Sequence, residues 1–251
     1  VTRSWLGYAI LGAGLLATGA GVALLTRKTG SGLGRAGGFR RRPIGSEFRG
    51  RAKLPEATEV IKKNGMTVTH YKAKNMSIES RVALIQKMVE ESTKDPEMRK
   101  LALAITRKCP ERDGECEAKA IYDWMKCANG AKDGVDCRWI RYTGDIAPIV
   151  HSDGSVEGVD YFSSPRRVIE LGGEDCDGHS GLAASLLTLN GIPAKLRVTA
   201  SDTQGDWEHI YAMAGLPKTS PRSWAAVDTT LPGDQRFGKE APHAKYKDFI
   251  A

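Results

Sequence analysis

The sequence predicts an α+β fold on three observations: helical periodicity concentrated over residues 78–126, a continuous apolar helix starting at Cys176, and strand-like segments crowded behind that helix. The 251 residues, 41% hydrophobic, suffice for one sizeable core plus an anchor and are too many for a disulfide miniprotein. No internal repeat at solenoid periods is found.

In chain order, residues 5–26 (WLGYAILGAGLLATGAGVALLT) carry no charge and have about the 20-residue length of a bilayer-crossing helix. Trp5 and Tyr8 suit an interfacial belt, and Arg3, Arg27 and Lys28 bracket the apolar run. Ala13, Ala17 and Gly21 recur at four-residue spacing, a small-residue stripe suited to self-association of the span. A cleaved signal peptide is the rival reading, but the positive excess follows the apolar run instead of preceding it. The expectation is therefore a single-pass anchor (1–28) that holds the following domain in the cytoplasm, with a virion or periplasm-facing placement as the alternative.

The formal charge of +7 suggests an anionic partner until it is divided by position. Residues 27–53 hold nine Lys or Arg against Glu47, a local +8; with Arg3 this exceeds the whole-chain value, so residues 54–251 carry −2. A near-neutral domain has no electrostatic case for binding nucleic acid. The basicity belongs to a Gly/Arg-rich segment expected as a flexible linker (29–56), whose arginines suit anionic lipid or nucleic acid equally.

The remainder, 57–251, is expected as one domain. Residues 66–72 (MTVTHYK) alternate as a short strand, and 78–91 place Val82, Leu84, Ile85 and Met88 at helical spacing behind a Ser77 cap. Further helices are expected over 96–107, opened by Pro96, and over 115–126, carrying Ile121, Trp124 and Met125. The apolar helix from Cys176 stops at Asn190-Gly191, and strands are expected at 194–199, 209–214 and 224–229.

The chemistry concentrates in GGEDCDGHS (172–180), which puts Cys176 at a helix start. Helix N-terminal amides favour a thiolate, the nucleophilic form, and the preceding glycines let a substrate carbonyl approach the Cys176 amide as an oxyanion donor. His209, next to Glu208 in WEHIY, and Asp228, closing WAAVD, are polar positions amid the apolar residues of two strand-like segments. Pairing them satisfies both, and an imidazole between a thiol and a carboxylate is what nucleophilic catalysis requires; a His–Asp bond that merely links two strands is the plainer alternative.

These segments resemble the transglutaminase-like superfamily of cysteine enzymes, whose members show a G-D-C-D or G-D-C-E turn, an H-x-Y/W strand and a W-x-x-x-D strand. The resemblance runs over residues 98–248 and includes LALAITRKCPERD, EAKAIYDWMK, WIRYTGDIAP, DYFSSPRRVIELGGEDCDGHS and LNGIPAKLRVTA. It implies a papain-like core in which N-terminal helices and the nucleophile helix pack on an antiparallel sheet. It implies Cys176 as nucleophile, His209 as general base and acid, and Asp228 as the group orienting His209. Gly173, Asp175, Trp207 and Tyr161 are the candidate substrate-binding residues, with Tyr161 or Ser163 as a side-chain oxyanion donor. Glu174 stands where glycine is frequent and Gly178 where a second acidic residue is frequent, so the turn departs from the family pattern at two positions. His179 is expected to be structural or pocket-lining, since the base should come from a facing strand.

Cys109, Cys116, Cys127 and Cys137 are spaced x6, x10 and x9, which is no CxxC zinc pattern; a zinc enzyme is kept only as a third reading. With Cys176 set aside, the even number left suits bridges, Cys109 to Cys116 and Cys127 to Cys137, in conflict with a cytoplasmic placement. The expected activity is a membrane-anchored cysteine hydrolase or acyltransferase acting on the amide bonds of a protein or peptide, with no cofactor and no metal. Its rival is a structural or virion-associated protein that uses the scaffold without turnover.

Overall fold

The computed structural model describes residues 44–48, 53–54, 57–63, 66–71, 76–127, 140–143, 149–150, 156–157, 161–232 and 236–251. The chain divides into Val1–Arg40 and Arg41–Ala251. Every element below belongs to the second unit; the expected span at 5–26, with its small-residue stripe, and most of the basic linker lie outside the described residues. No helix among the described residues is long and apolar enough to cross a membrane.

The elements are β1 (Ile44–Phe48), β2 (Ala57–Lys63), β3 (Met66–Tyr71), α1 (Ile78–Ser92), α2 (Pro96–Thr106), α3 (Gly114–Lys126), β4 (Arg141–Tyr142), β5 (Ile149–Val150), β6 (Val156–Glu157), α4 (Pro165–Leu171), β7 (Gly173–Glu174), α5 (Cys176–Leu189), β8 (Ala194–Ala200), β9 (His209–Leu216), β10 (Ser223–Val227) and β11 (Lys245–Ile250). A five-stranded sheet runs β1-β11-β8-β9-β10, with β1 parallel to β11 and the other pairs antiparallel. The α+β expectation holds.

Local signals start the helices. Ser77 accepts from the Ser80 amide at 3.3 Å to open α1, Asp95 accepts from the Glu97 amide at 2.8 Å ahead of Pro96 in α2, and Asp113 accepts from the Cys116 amide at 3.0 Å in α3. The Cys109–Cys116 disulfide closes the turn between α2 and α3, as one of the two expected bridges has it. Cys127 is also disulfide-bonded, while Cys137 lies outside the described residues.

α5 is buried almost all round, with Leu182, Leu186 and Leu187 fully enclosed. It packs on Leu196 and Val198 of β8 and Ile210, Ala212 and Ala214 of β9, with Val82 and Ile85 of α1 and Met98 of α2 completing the same core. Truncating one of these leucines to alanine costs about 2–5 kcal/mol, because the enclosed site collapses only partly. The core thus fixes the first turn of α5, and Cys176 with it, against the sheet.

Eight elements go beyond the sequence reading: α4, β1, β2, β4, β5, β6, β7 and β11. α4 is one short helix after Pro165, and β11 and β1 depend on partners far away in sequence. Ile44–Phe48 falls within the segment expected as linker, yet forms an edge strand. It does so through contacts with β11: the Phe48 ring lies 5.4 Å from Phe249, and a Cβ at Gly45 would stand 1.9 Å from the Tyr246 ring, so only glycine admits that ring. β2 pairs with the foreseen β3 as a separate hairpin. β10 ends at Val227, two residues short of the expected strand end, which leaves Asp228 just beyond the ladder.

Candidate active site

The turn before Cys176 is built by glycines with distinct tasks. Gly172 caps α4 at φ +70°, the left-handed region that glycine adopts without penalty, and its amide donates to Val168 O at 2.9 Å. Gly173 then runs parallel to Arg141, and a Cβ there would lie 2.9 Å from the Thr143 methyl. Arg141 N donates to Gly172 O and Thr143 N to Glu174 O, both at 3.1 Å, so the WIRYTG segment holds the turn from one side.

Asp175 is 7% exposed and serves as N-cap of α5: its Oδ1 accepts from the amides of Asp177 at 2.9 Å and Gly178 at 3.3 Å. It was expected to bind substrate, but its carboxylate is occupied by the helix start, which needs those orphan amides satisfied. Cys176 follows as the first helical residue.

The backbone N–H groups of Ile210 and of Cys176 itself act on the sulfur and favour the thiolate. Ile210 directly follows His209 in β9, so the thiol lies against the strand that carries the imidazole. Opposing influences outweigh these amides. Burial first, then the Asp177 and Asp175 carboxylates, push the Cys176 thiol well above its ordinary value. The Asp177 Oδ1 is 4.0 Å from Sγ. The helix start favours a thiolate at Cys176, and burial with these two carboxylates works against it and favours the protonated thiol.

His209 Nε2 lies 2.8 Å from Asp228 Oδ2. Val227 faces Ala212 across the ladder; continued past the strand end, that register sets Asp228 opposite Tyr211, diagonal to His209 on the same face. The other Asp228 oxygen accepts from Thr230 N at 3.1 Å and Thr230 Oγ1 at 2.7 Å. With Nε2–H donating to a fixed carboxylate, Nδ1 carries the ring's lone pair and can take a proton. The Tyr211 ring, 5.5 Å from the His209 ring, packs beside it.

His179 is separate from this pair, as expected. It is 2% exposed, with Nδ1 2.7 Å from Thr229 Oγ1 and Nε2 3.3 Å from Arg141 O. Burial pushes its pKa down to about 4, so the ring is neutral. Of the remaining candidates, Trp207 is partly buried beneath the Lys245 ammonium at 4.6 Å, Tyr161 is 48% exposed, and Ser163 is half-buried. The contributions of Thr229, Thr230 and Lys126, whose Nζ donates to Leu231 O at 2.7 Å, were missed. A run of threonines directly after the strand aspartate was the signal for the first two.

The zinc reading loses its ligands, since Cys109 and Cys116 are joined to each other and Cys127 is also in a bridge. Ligand atoms of Asp175, Cys176 and Asp177 lie within 4.8 Å of one another, but Asp175 is committed to its capping bonds.

No family model and no curated protein matches the chain. Solved structures similar to it include a candidate cysteine protease from Cytophaga hutchinsonii (16% identity over 63% of this chain, TM-score 0.37) and a candidate protease from Parabacteroides distasonis (10% over 74%, TM-score 0.36). A third is a TGase (17% over 76%, TM-score 0.31). The chain spans 44%, 41% and 55% of their respective lengths. With overlaps this low, the residues of the site itself carry its functional assignment.

Proposed function

We propose that the chain is a cysteine hydrolase or acyltransferase of the transglutaminase-like class, acting on amide bonds of a protein or peptide, with Cys176, His209 and Asp228 as its reacting groups. The observation that carries this is the 2.8 Å bond from His209 Nε2 to Asp228, on β9, the strand against which the helix that begins with Cys176 packs. In the reaction, Cys176 Sγ attacks the amide carbonyl while its proton passes to His209 Nδ1. The Cys176 amide, which is not among the donors that Asp175 takes, is the oxyanion donor. His209 returns the proton to the departing amine as the C–N bond breaks, leaving a thioester. Water then attacks with His209 again as base, releasing the acid and restoring the thiol; an amine in place of water gives a new amide.

Attachment through residues 5–26 and contact of the basic linker with anionic lipid or nucleic acid belong to the proposal on the sequence alone. The Cys109–Cys116 bridge supports the virion or periplasm-facing placement over the cytoplasmic one, because bridges persist in oxidising surroundings. The test is amine or ammonia release from a peptide-amide library by the full chain. Release is expected to vanish in Cys176→Ala and His209→Ala. Equal release by wild type and Cys176→Ala overturns the assignment.

A further inference from the structure

β10 ends at Val227, so the sheet ladder does not hold the Asp228–Leu231 segment; side chains do. Thr230 closes on Asp228, and Lys126 holds Leu231 O. Thr229, 4% exposed, turns the other way and meets the His179 ring. On that ring the partner of Nε2 is the Arg141 carbonyl, which can only accept, so Nε2 carries the hydrogen and the Thr229 hydroxyl donates to Nδ1. Arg141 in turn belongs to the segment that hydrogen-bonds the nucleophile turn at Gly172 and Glu174. One buried ring therefore connects the helix that begins with Cys176, the segment flanking its turn, and the residue next to Asp228.

We propose that His179 is a positioning residue: by holding Thr229 and the Arg141 carbonyl together it sets where Asp228 stands relative to Cys176, and so the aim of His209. This rests on the reading of Cys176, His209 and Asp228 as the reacting groups. A buried histidine that only stabilises the core would give the same hydrogen bonds, so the test needs a readout that stability does not move.

Thr229→Val removes the hydroxyl at nearly constant volume, and Thr229→Ser restores it. For the full chain, the expected result in Thr229→Val is a kcat at least about tenfold lower with KM within about twofold of wild type. The proton resonance of His209 Nε2–H, held by Asp228, is expected to shift and exchange faster with water; Thr229→Ser is expected to recover both. His179→Gln, which fills the site without bridging both partners, is expected to repeat the Thr229→Val pattern and serves if that variant does not fold. An unchanged kcat and an unchanged His209 resonance beside a lowered melting temperature overturn the proposal. If wild type and Cys176→Ala are equally inactive, the catalytic reading fails on its own, and the His209 resonance in Thr229→Val still decides the positioning.

Discussion

The side chain of Glu174 fills the space a Cβ on residue 178 would need: its Cγ is 2.0 Å and its own Cβ 2.6 Å from that position. The two departures of this turn from the family pattern are thus one feature, a larger residue at 174 made possible by glycine at 178. Gly178→Ala is expected to destabilise the domain by about 1–3 kcal/mol despite alanine's better helix propensity, because the neighbour is forced out of place. Glu174→Gly is expected to recover most of that loss, giving a coupling energy above about 0.5 kcal/mol in a double-mutant cycle followed by urea denaturation.

Asp177 stands beside the sulfur and opposes ionisation. Asp177→Asn is expected to lower the Cys176 pKa and raise its alkylation rate at pH 8 about three- to tenfold, since each pKa unit is a factor of ten in thiolate. Mass-mapped rates of iodoacetamide modification measure this, and a rate that falls is the opposite sign.

His179 gives the domain an acid-side weakness. Its folded pKa is depressed to about 4 from an ordinary 6.5 by burial; Asp228 and the Arg141 carbonyl favour protonation, while Lys126 and His209 oppose it. Between those two values the unfolded chain binds the proton and the folded chain does not. The stability of the neutral ring is therefore full above pH 6.5 and lost progressively down to about pH 4, by at most about 3 kcal/mol. In denaturation at pH 7 and pH 4.5, His179→Gln is expected to lose less stability than wild type on acidification.

The cysteines divide into bridged and free. Among the described residues Cys176 is the free thiol, and Cys109, Cys116 and Cys127 are bonded. Of Cys109, Cys116, Cys127 and Cys176, native protein is expected to label with a thiol reagent at Cys176 alone, and at the other three only after reduction. Native labelling at Cys109 or Cys116 contradicts the bridge.

What the sequence made legible was local. Ser77 and Asn190-Gly191 bound helices because their side chains and backbone act within one turn, and His209 and Asp228 stood out as polar positions beside apolar strand residues. What it hid was settled by distant contacts. β1 exists because Tyr246 and Phe249 receive it. The thiolate expectation counted the helix dipole at Cys176 but not its burial, which comes from the packing of α5 on β9. The position of Asp175 directly before a helix favours an N-cap, and there it caps α5.

The central claim is that His209 takes the proton of Cys176, and it can be measured without knowing the substrate. The second-order rate of iodoacetamide alkylation at Cys176 is compared in wild type, His209→Gln and Asp228→Asn at pH 7.5, with circular dichroism verifying the fold. The expected result is a wild-type rate at least about tenfold above that of His209→Gln, with Asp228→Asn in between. Equal rates in all three folded proteins contradict it.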